Sequence, residues 1–414
     1  MIFFIYQFLL SIILIFSPII IIIRILKNKE DKLRFKEKFC LISKERGNGK
    51  LVWFHGSSVG EILSVIPIIK KYDNDKSIGK ILITSSTLSS SRILEKIKFK
   101  KTIHQFYPID HAIFSRKFLD YWKPNIAIFL ESEIWPSMFK SIKNRNILLI
   151  LLNARITKRS FDRWSKFKEF SYSIFGLIDK AYSQNSETNH YLKRLNVKNI
   201  QSIGNMKFIE DDNIKSDKSD KKLFSQFKKY KTFIAASTHE TEELFAAKTH
   251  ILLKKKNKNI ITIIIPRHIN RVKQIIAEIN ELGLNVVSRS SKKLKLKGID
   301  IFIVDTFGET KKFYKFATTV FLGKSIIKGG GQNPLEPARF GAKILHGPDV
   351  NNFKDVYKYL RKLKISSVVN SPQKCADSII FKKNMKKVQK MKYLGSTILK
   401  KTLNELDKSI HNEI

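Results

Sequence analysis

The chain has 414 residues, and its 78 Lys plus Arg against 36 Asp plus Glu give a formal net charge of +42. Hydrophobic residues make up 43% and charged residues 28%, with only 17 Gly and 10 Pro, which excludes a disordered, collagen-like or linker-dominated chain. The length predicts two globular domains. The charge indicates either an anionic partner, whether nucleic acid, an anionic membrane or an anionic substrate, or a compositional excess of Lys throughout the chain, and the charge alone does not choose between them.

The first predicted element is an apolar helix. Residues 2–23 carry no charge, and as a helix they would rise roughly 33 Å, about the thickness of a bilayer's hydrocarbon core. Arg24, Lys27 and Lys29 follow the apolar run, so we expect an uncleaved anchor with the body on the cytoplasmic side. A buried core helix is disfavoured by the lack of a polar face, whereas Pro18 leaves open a kinked helix that lies in the membrane interface.

Short apolar runs then alternate with helix-length amphipathic stretches, such as 59–71 and 160–175. This alternation predicts a parallel α/β sheet. The predicted strands of this first half are 51–54, 81–84, 126–130, 147–152 and 180–183.

Residues 209–222 contain almost no apolar side chains and predict a linker, after which the alternation resumes. The predicted strands of the second half are 232–236, 260–265, 301–304, 319–322 and 343–345. We therefore predict a membrane anchor at 1–24, an α/β domain at 25–208, the linker at 209–222 and a second α/β domain at 223–414. A protein of two such units commonly binds its ligand in the cleft between them.

Acidic residues follow two strands of the first half. Glu61 lies in the small-residue turn H-G-S-S-V-G-E (55–61), where it is a candidate functional carboxylate or simply a helix-start carboxylate. Glu131 and Glu133 lie in E-S-E-I-W-P (131–136), which is typical of acid/base or orienting work and equally of a helix N-terminus.

Basic and Gly-rich turns follow strands of the second half. Arg267, in P-R-H (266–268), is suited to a bidentate contact with a phosphate, and the turn D-T-F-G-E covers 305–309. The loop 329–337 contains three glycines and Glu336, which suits a phosphate and ribose hydroxyls. Together these turns suggest a nucleotide-activated donor in one unit and an acceptor in the other. Neither a dinucleotide fingerprint nor a Walker loop occurs, and Cys40 and Cys375 have no metal-ligand spacing.

Eight motifs, in this order, resemble those of the 3-deoxy-D-manno-octulosonic acid (Kdo) transferases of lipopolysaccharide synthesis. They are H-G-S-S-V-G-E (55–61), E-S-E-I-W-P (131–136), L-N-A-R-I-T-x-R-S (152–160), G-N-M-K (204–207), A-S-T-H-E-x-E-E (236–243), P-R-H (266–268), V-D-T-F-G-E (304–309) and G-G-x-N-P-L-E-P (330–337).

The resemblance implies an α/β glycosyltransferase of the GT-B type, with two Rossmann-like domains facing a central cleft behind an inner-membrane anchor at residues 2–23. It implies Kdo transfer from CMP-Kdo, bound by the domain at 223–414, to the lipid A disaccharide precursor (lipid IVA), bound by the domain at 25–208. No metal or other cofactor and no nucleic-acid partner is expected. Glu61 matches the proton acceptor, and Glu131 and Lys207 match transition-state stabilisers. The residues that match CMP-binding positions are Pro266, Arg267, Phe307, Gly308, Glu309, Asn333, Pro334, Leu335 and Glu336.

Some positions and alternatives stay open. Gln332 stands where the family often has His, and Arg155 and Arg159 fit either acceptor phosphate or structural ion pairs. The alternative functions are another GT-B nucleotide-sugar glycosyltransferase and a membrane-tethered basic nucleic-acid-binding protein. Against the latter, the Lys runs lack interleaved aromatic residues.

Overall fold

The structure, a computed structural model, describes residues 2–209, 221–291 and 295–413. The chain forms two compact units, one from the ranges 1–211 and 394–414 and the other from the range 212–393. Most of the predicted linker 209–222, from 210 to 220, lies outside the described residues.

The first unit contains a seven-stranded, fully parallel sheet in the order β3-β2-β1-β4-β5-β6-β7. Its strands are β1 (Leu51–His55), β2 (Lys80–Ser85), β3 (Thr102–Phe106), β4 (Ile126–Leu130), β5 (Leu148–Ala154), β6 (Lys180–Ser183) and β7 (Ile200–Ser202). Its helices are α1 (Ile2–Leu26), α2 (Val59–Asp73), α3 (Leu88–Glu95), α4 (Ala112–Trp122), α5 (Pro136–Lys143), α6 (Lys158–Ser165), α7 (Lys168–Phe175) and α8 (Ser186–Arg194), with 3-10 turns at Arg34–Phe39 and Met206–Phe208.

The second unit contains another seven-stranded parallel sheet, in the order β10-β11-β9-β8-β12-β13-β14. Its strands are β8 (Lys231–Thr238), β9 (Ile260–Pro266), β10 (Val286–Ser288), β11 (Ile301–Ile303), β12 (Thr319–Leu322), β13 (Lys343–His346) and β14 (Ser366–Val368). Its helices are α9 (Lys221–Phe227), α10 (Glu242–Lys256), α11 (Val272–Asn280), α12 (Thr310–Tyr314), α13 (Leu335–Arg339), α14 (Lys354–Lys362) and α15 (Pro372–Ser378), with 3-10 turns at Ile269–Arg271 and Asn351–Phe353. The last helix, α16 (Met385–Glu413), begins in this unit and ends in the first.

The predicted parallel α/β class is confirmed, and each strand predicted from an apolar run forms. The strands that the sequence did not predict are β3, β7, β10 and β14, which are the edge strands of the two sheets. Central strands such as β4 are buried along their whole length, whereas β7 is partly or fully exposed. An edge strand needs fewer apolar side chains, so it leaves a weaker signal in the sequence.

Two segments differ from the predicted layout. The helix predicted at 160–175 is two helices, α6 and α7, separated at Lys166 and Phe167. The range 394–414, predicted to belong to the second domain, packs with the first unit. There Asp407 accepts hydrogen bonds from Tyr72 (2.8 Å) and Lys71 (2.7 Å), which fix the end of α16 to α2.

Candidate active site

The turn between β1 and α2 places Glu61 at the carboxyl edge of the first sheet. Ser58 caps α2, and the carboxylate of Glu61 accepts the backbone N–H groups of Ser57 (2.7 Å) and Ser58 (3.2 Å), forming a capping box. The interpretation of Glu61 as a helix-start carboxylate is thereby confirmed. It does not exclude a chemical role, because burial, followed by the charges of Glu133 and Glu131, raises the pKa of Glu61 to about 7.

Glu131 follows β4 directly and forms an ion pair with Lys207. The Lys207 Nζ lies 2.7 Å from Glu131 Oε1, and Glu131 is 5% exposed. The backbone of Glu131 has φ +52°, a left-handed conformation that non-glycine residues rarely adopt and that is often found at functional sites. Glu61, Glu131 and Lys207, three residues far apart in sequence, thus lie in one region of the first unit.

Glu133 is a second acid of the same motif, and it organises the neighbouring side chains. Its Oε2 accepts hydrogen bonds from the hydroxyl of Ser57 (2.6 Å) and the indole N–H of Trp135 (2.9 Å), and it lies 3.3 Å from Nε2 of His55. Burial opposes ionisation of Glu133, but the hydrogen bonds from His55, Ser57 and Trp135 outweigh it and lower the pKa of Glu133. Ser57 therefore connects two carboxylates, donating its N–H to Glu61 and its hydroxyl to Glu133.

Asn153 contacts both Glu131 and the backbone next to Lys207. Its Nδ2 lies 3.5 Å from Glu131 Oε1, and its Oδ1 accepts the backbone N–H of Met206 (3.0 Å), the residue before Lys207. Asn153 has φ +54° at a register shift in β5. No role is predicted for Asn153 from the sequence, and Glu133 is predicted only together with Glu131, for acid/base or orienting work. Both residues lie in motifs at strand ends, and that position is the signal that the sequence offers.

In the second unit, the predicted donor-site turns follow neighbouring strands. Residues 305–309 come after β11, Arg267 after β9 and the Gly-rich loop after β12, and these strands are neighbours in the sheet, with β8 between β9 and β12. Their carboxyl ends therefore share one edge, as predicted. Arg267 is exposed there, and its backbone N–H donates to Thr238 O (3.0 Å).

The turn 307–309 combines an exposed apolar side chain with a held carboxylate. Phe307 is 90% exposed and Gly308 has φ +83°. Glu309 accepts from Thr306, and it forms ion pairs with Arg289 (3.2 Å) and Lys312 (3.0 Å). Burial opposes ionisation, but these partners outweigh it and lower the pKa of Glu309.

The Gly-rich loop leads into α13, which lies next to α12. Asn333 Oδ1 accepts the N–H of Leu335 (3.0 Å), Pro334 precedes α13, and the carboxylate of Glu336 lies 3.5 Å from Lys311 Nζ on α12. The 307–309 turn leads directly into α12, and the contact of Lys311 with Glu336 links that helix to the 333–336 segment. Gly330 and Gly331 both have positive φ, which suits glycine.

Glu242 is a buried carboxylate for which no individual role is predicted from the sequence. Its two oxygens accept the backbone N–H groups of Lys324 (2.6 Å), Ser325 (3.0 Å) and Ile326 (3.1 Å). A side chain at Gly323 would place Cβ 2.4 Å from Ser237 O, so only glycine fits there. Glu242 thereby fixes the start of the segment that leads into the Gly-rich loop. Within the three described ranges, no group of three His, Cys, Asp or Glu residues is placed to hold a metal ion.

Comparisons with known proteins find relatives that match most of this chain. The sequence profile of a family described as "3-Deoxy-D-manno-octulosonic-acid transferase (kdotransferase)" matches residues 33–210. The 3-deoxy-D-manno-octulosonic acid transferase of Rickettsia bellii (strain RML369-C) is 34% identical over 367 residues, which cover 88% of this chain and 87% of that protein. The transferase of the same name from Rickettsia prowazekii (strain Madrid E) is 32% identical, with 82% of each chain covered.

Among solved structures, the UDP-GlcNAc 2-epimerase of Neisseria meningitidis has a similar fold, with a TM-score of 0.55 and 13% identity over 84% of this chain and 94% of that one. Together with the two parallel sheets, this likeness confirms the predicted GT-B type of fold. On the identity and coverage of its relatives, the chain belongs to the 3-deoxy-D-manno-octulosonic acid (Kdo) transferase family and is a glycosyltransferase.

Proposed function

We propose that this enzyme transfers Kdo from CMP-Kdo to the lipid A disaccharide precursor, lipid IVA, with CMP as the leaving group. Family membership supports Kdo as the transferred sugar. The observation that carries the mechanism is the position of Glu61, whose pKa is raised to about 7, in the region that holds the Glu131–Lys207 ion pair.

Glu61 is the proposed general base. A carboxylate with a pKa near the working pH is partly ionised and strong enough to take a proton. In the proposed reaction, it removes the proton of an acceptor sugar hydroxyl as that oxygen attacks the anomeric carbon of Kdo. The bond between that carbon and the CMP phosphate oxygen breaks, and its electron pair leaves with CMP.

Lys207 and Glu131 are the proposed transition-state stabilisers. The ammonium of Lys207 supplies a countercharge for the developing phosphate charge or for the Kdo carboxylate. The short contact with Glu131 and the hydrogen bond that Asn153 accepts from the preceding residue fix Lys207 before substrate binds. Such preorganisation avoids rearranging the charges during the reaction.

The proposed donor site consists of Pro266, Arg267, the turn 307–309 and the segment 333–336. Arg267 is exposed and suited to contact the CMP phosphate, and Glu336 is suited to accept from ribose hydroxyls. Because basic side chains neutralise the leaving phosphate in this scheme, we propose that the enzyme needs no metal or other cofactor. Chelation by EDTA should then leave the rate unchanged, and a loss restored by Mg²⁺ would contradict this part.

We further propose that the enzyme works at the cytoplasmic face of the inner membrane, attached through residues 2–23. One helix among the described residues, α1, is long and apolar enough to cross a membrane, and the basic residues that follow favour a cytoplasmic body. Lipid IVA is an anionic lipid, so an enzyme with a formal net charge of +42 is suited to that surface.

The direct test is an assay of the purified full chain with CMP-Kdo and lipid IVA, followed by mass spectrometry of the product. We expect the acceptor mass to increase by whole Kdo units, and exhaustive reaction gives the number added. Transfer from another nucleotide sugar, with none from CMP-Kdo, would overturn the donor. Salt-sensitive RNA binding without any transfer would favour a nucleic-acid-binding protein instead.

A further inference from the structure

The apolar helix α1 lies against the first unit along its length. Residues with reduced exposure recur every three or four positions, a spacing that marks one face of a helix. They are Phe3, Gln7, Leu10, Leu14, Ser17, Ile21 and Arg24.

Polar contacts hold the beginning of α1. The Tyr6 hydroxyl donates to Asp110 Oδ2 (2.7 Å), and the Gln7 amide donates to the Ser137 hydroxyl (2.6 Å). Asp110 also accepts the backbone N–H groups of Ser137 and Met138 in the first turn of α5. The same carboxylate therefore binds α1 and caps a helix of the folded unit.

The end of α1 is held to the same unit by charges. Arg24 Nε lies 3.0 Å from Glu30 Oε2, which also receives Lys38 Nζ at 2.6 Å. Glu30 is only 3% exposed, so these charges are fixed in the unit. Tyr6 and Arg24 are about 27 Å apart along a helix, which is close to the thickness of the hydrocarbon core.

A folded, charged unit that contacts both ends of α1 cannot lie on one side of a bilayer that α1 crosses. Either the contact between Tyr6 and Asp110 would have to break, or the carboxylate and its backbone partners would have to enter hydrocarbon. The four polar side chains of residues 2–23, Tyr6, Gln7, Ser11 and Ser17, are all on the less exposed face.

The opposite face of α1 is apolar and open. Twelve large apolar side chains between Phe4 and Ile23 are exposed, among them Phe4 at 77% and Ile15 at 73%. Beside Phe170, which contacts Tyr6, the unit exposes Phe167 between Lys166 and Lys168. Exposed Lys27, Lys29 and Lys32 follow the other end of α1.

We infer that α1 lies in the plane of the membrane surface, with its apolar face in the lipid and the first unit bound to its polar face. An apolar band with cations at both ends matches an anionic bilayer, which offers hydrocarbon below a layer of negative head groups. This inference rests on the proposed membrane association and replaces a crossing anchor with an in-plane one. It does not depend on the sugar or the nucleotide.

The first experiment locates residue 1. A hydrophilic extension with a single cysteine is fused before Met1 in the full chain carrying Cys40→Ser and Cys375→Ser. A membrane-impermeant maleimide is then applied to spheroplasts and to inverted inner-membrane vesicles. We expect labelling in the inverted vesicles only, on the side of the body. Labelling in spheroplasts would show that α1 crosses the bilayer and would overturn the inference.

The second experiment tests the open face with vesicles of phosphatidylethanolamine and phosphatidylglycerol. Phe8→Asp and Phe16→Asp should each weaken binding by about tenfold or more, because each removes a large apolar side chain from lipid and adds a charge. Met385→Asp, at an exposed apolar residue of α16 in the second unit, is the matched control and should bind like wild type. Unchanged binding by the α1 variants would overturn the inference. It would also be overturned if the wild-type protein were a dimer without lipid and these variants were monomers, since α1 would then bind a second copy of the chain. Failure of wild type to bind any vesicle would instead refute membrane association itself.

Discussion

Lys207 and Glu131, which are 76 positions apart in the sequence, form an ion pair in which Lys207 Nζ lies 2.7 Å from Glu131 Oε1. Lys207→Met should leave the nearly buried Glu131 without its partner and destabilise the unit by about 2 kcal/mol. Adding Glu131→Gln removes the unpaired charge and should restore much of the stability, measured by urea unfolding. We expect both variants to be inactive, whereas recovery of activity in the double variant would mean that the pair is purely structural.

The rate should depend on pH through Glu61. Its folded pKa is raised to about 7, so the ionised fraction, and with it kcat/KM, should rise with pH up to about 7 and then level off. Measuring kcat/KM with CMP-Kdo and lipid IVA from pH 5 to 9 tests this. A rate that stays constant from pH 5 to 7 would remove Glu61 as the base.

Glu61→Gln should lower kcat by at least about 10², the usual contribution of a general base. Gln retains the hydrogen bonds of the capping box, so the fold should be preserved. CMP binding, measured by calorimetry, should be unchanged because the proposed CMP residues all belong to the second unit. Wild-type turnover in this variant would refute the assignment.

Glu133 is expected to act through Glu61. Its charge is one cause of the raised Glu61 pKa, so Glu133→Gln should lower that pKa and move the acid limb of the pH profile to lower pH. Gln keeps an oxygen for the Ser57 and Trp135 donors. Asp120→Asn, at an exposed carboxylate of the same unit, is the control and should leave the limb in place. A lower rate with an unmoved limb would indicate that Glu133 only supports packing.

Arg267→Ala should weaken CMP binding by about tenfold or more, because a charge-assisted contact to phosphate is lost. Arg361→Ala, on the exposed side of α14 in the same unit, serves as the matched control. Isothermal calorimetry with CMP measures both. Equal affinities would contradict the assignment of Arg267 to the donor site.

The sequence predicts the strands that are buried on both faces of a sheet, because such strands need continuous apolar runs. The apolar runs of β1, β4 and β9 mark central strands, and the turns that follow them carry Glu61, Glu131 and Arg267. The connection of Ser57 to both Glu61 and Glu133 could not be predicted, because it depends on strand register and side-chain direction. For the same reason, the contact of Asn153 with the backbone before Lys207 has no local signal. Edge strands such as β3 are missed because they are less completely buried and therefore need fewer apolar side chains.

The part of α16 after residue 393, which belongs to the first unit, limits where this enzyme can be divided into fragments. A side chain at Gly395 would place Cβ 2.5 Å from the carbonyl oxygen of Phe208, the neighbour of Lys207, so this helix touches the backbone that carries the proposed stabiliser. Residues 1–208 expressed alone would lack that support and would expose the surfaces of Tyr72 and Tyr182 that contact α16. A fragment built from the first unit must therefore have the 394–414 segment joined back to it, and a truncation after residue 393 is expected to damage the region of Glu131 and Lys207.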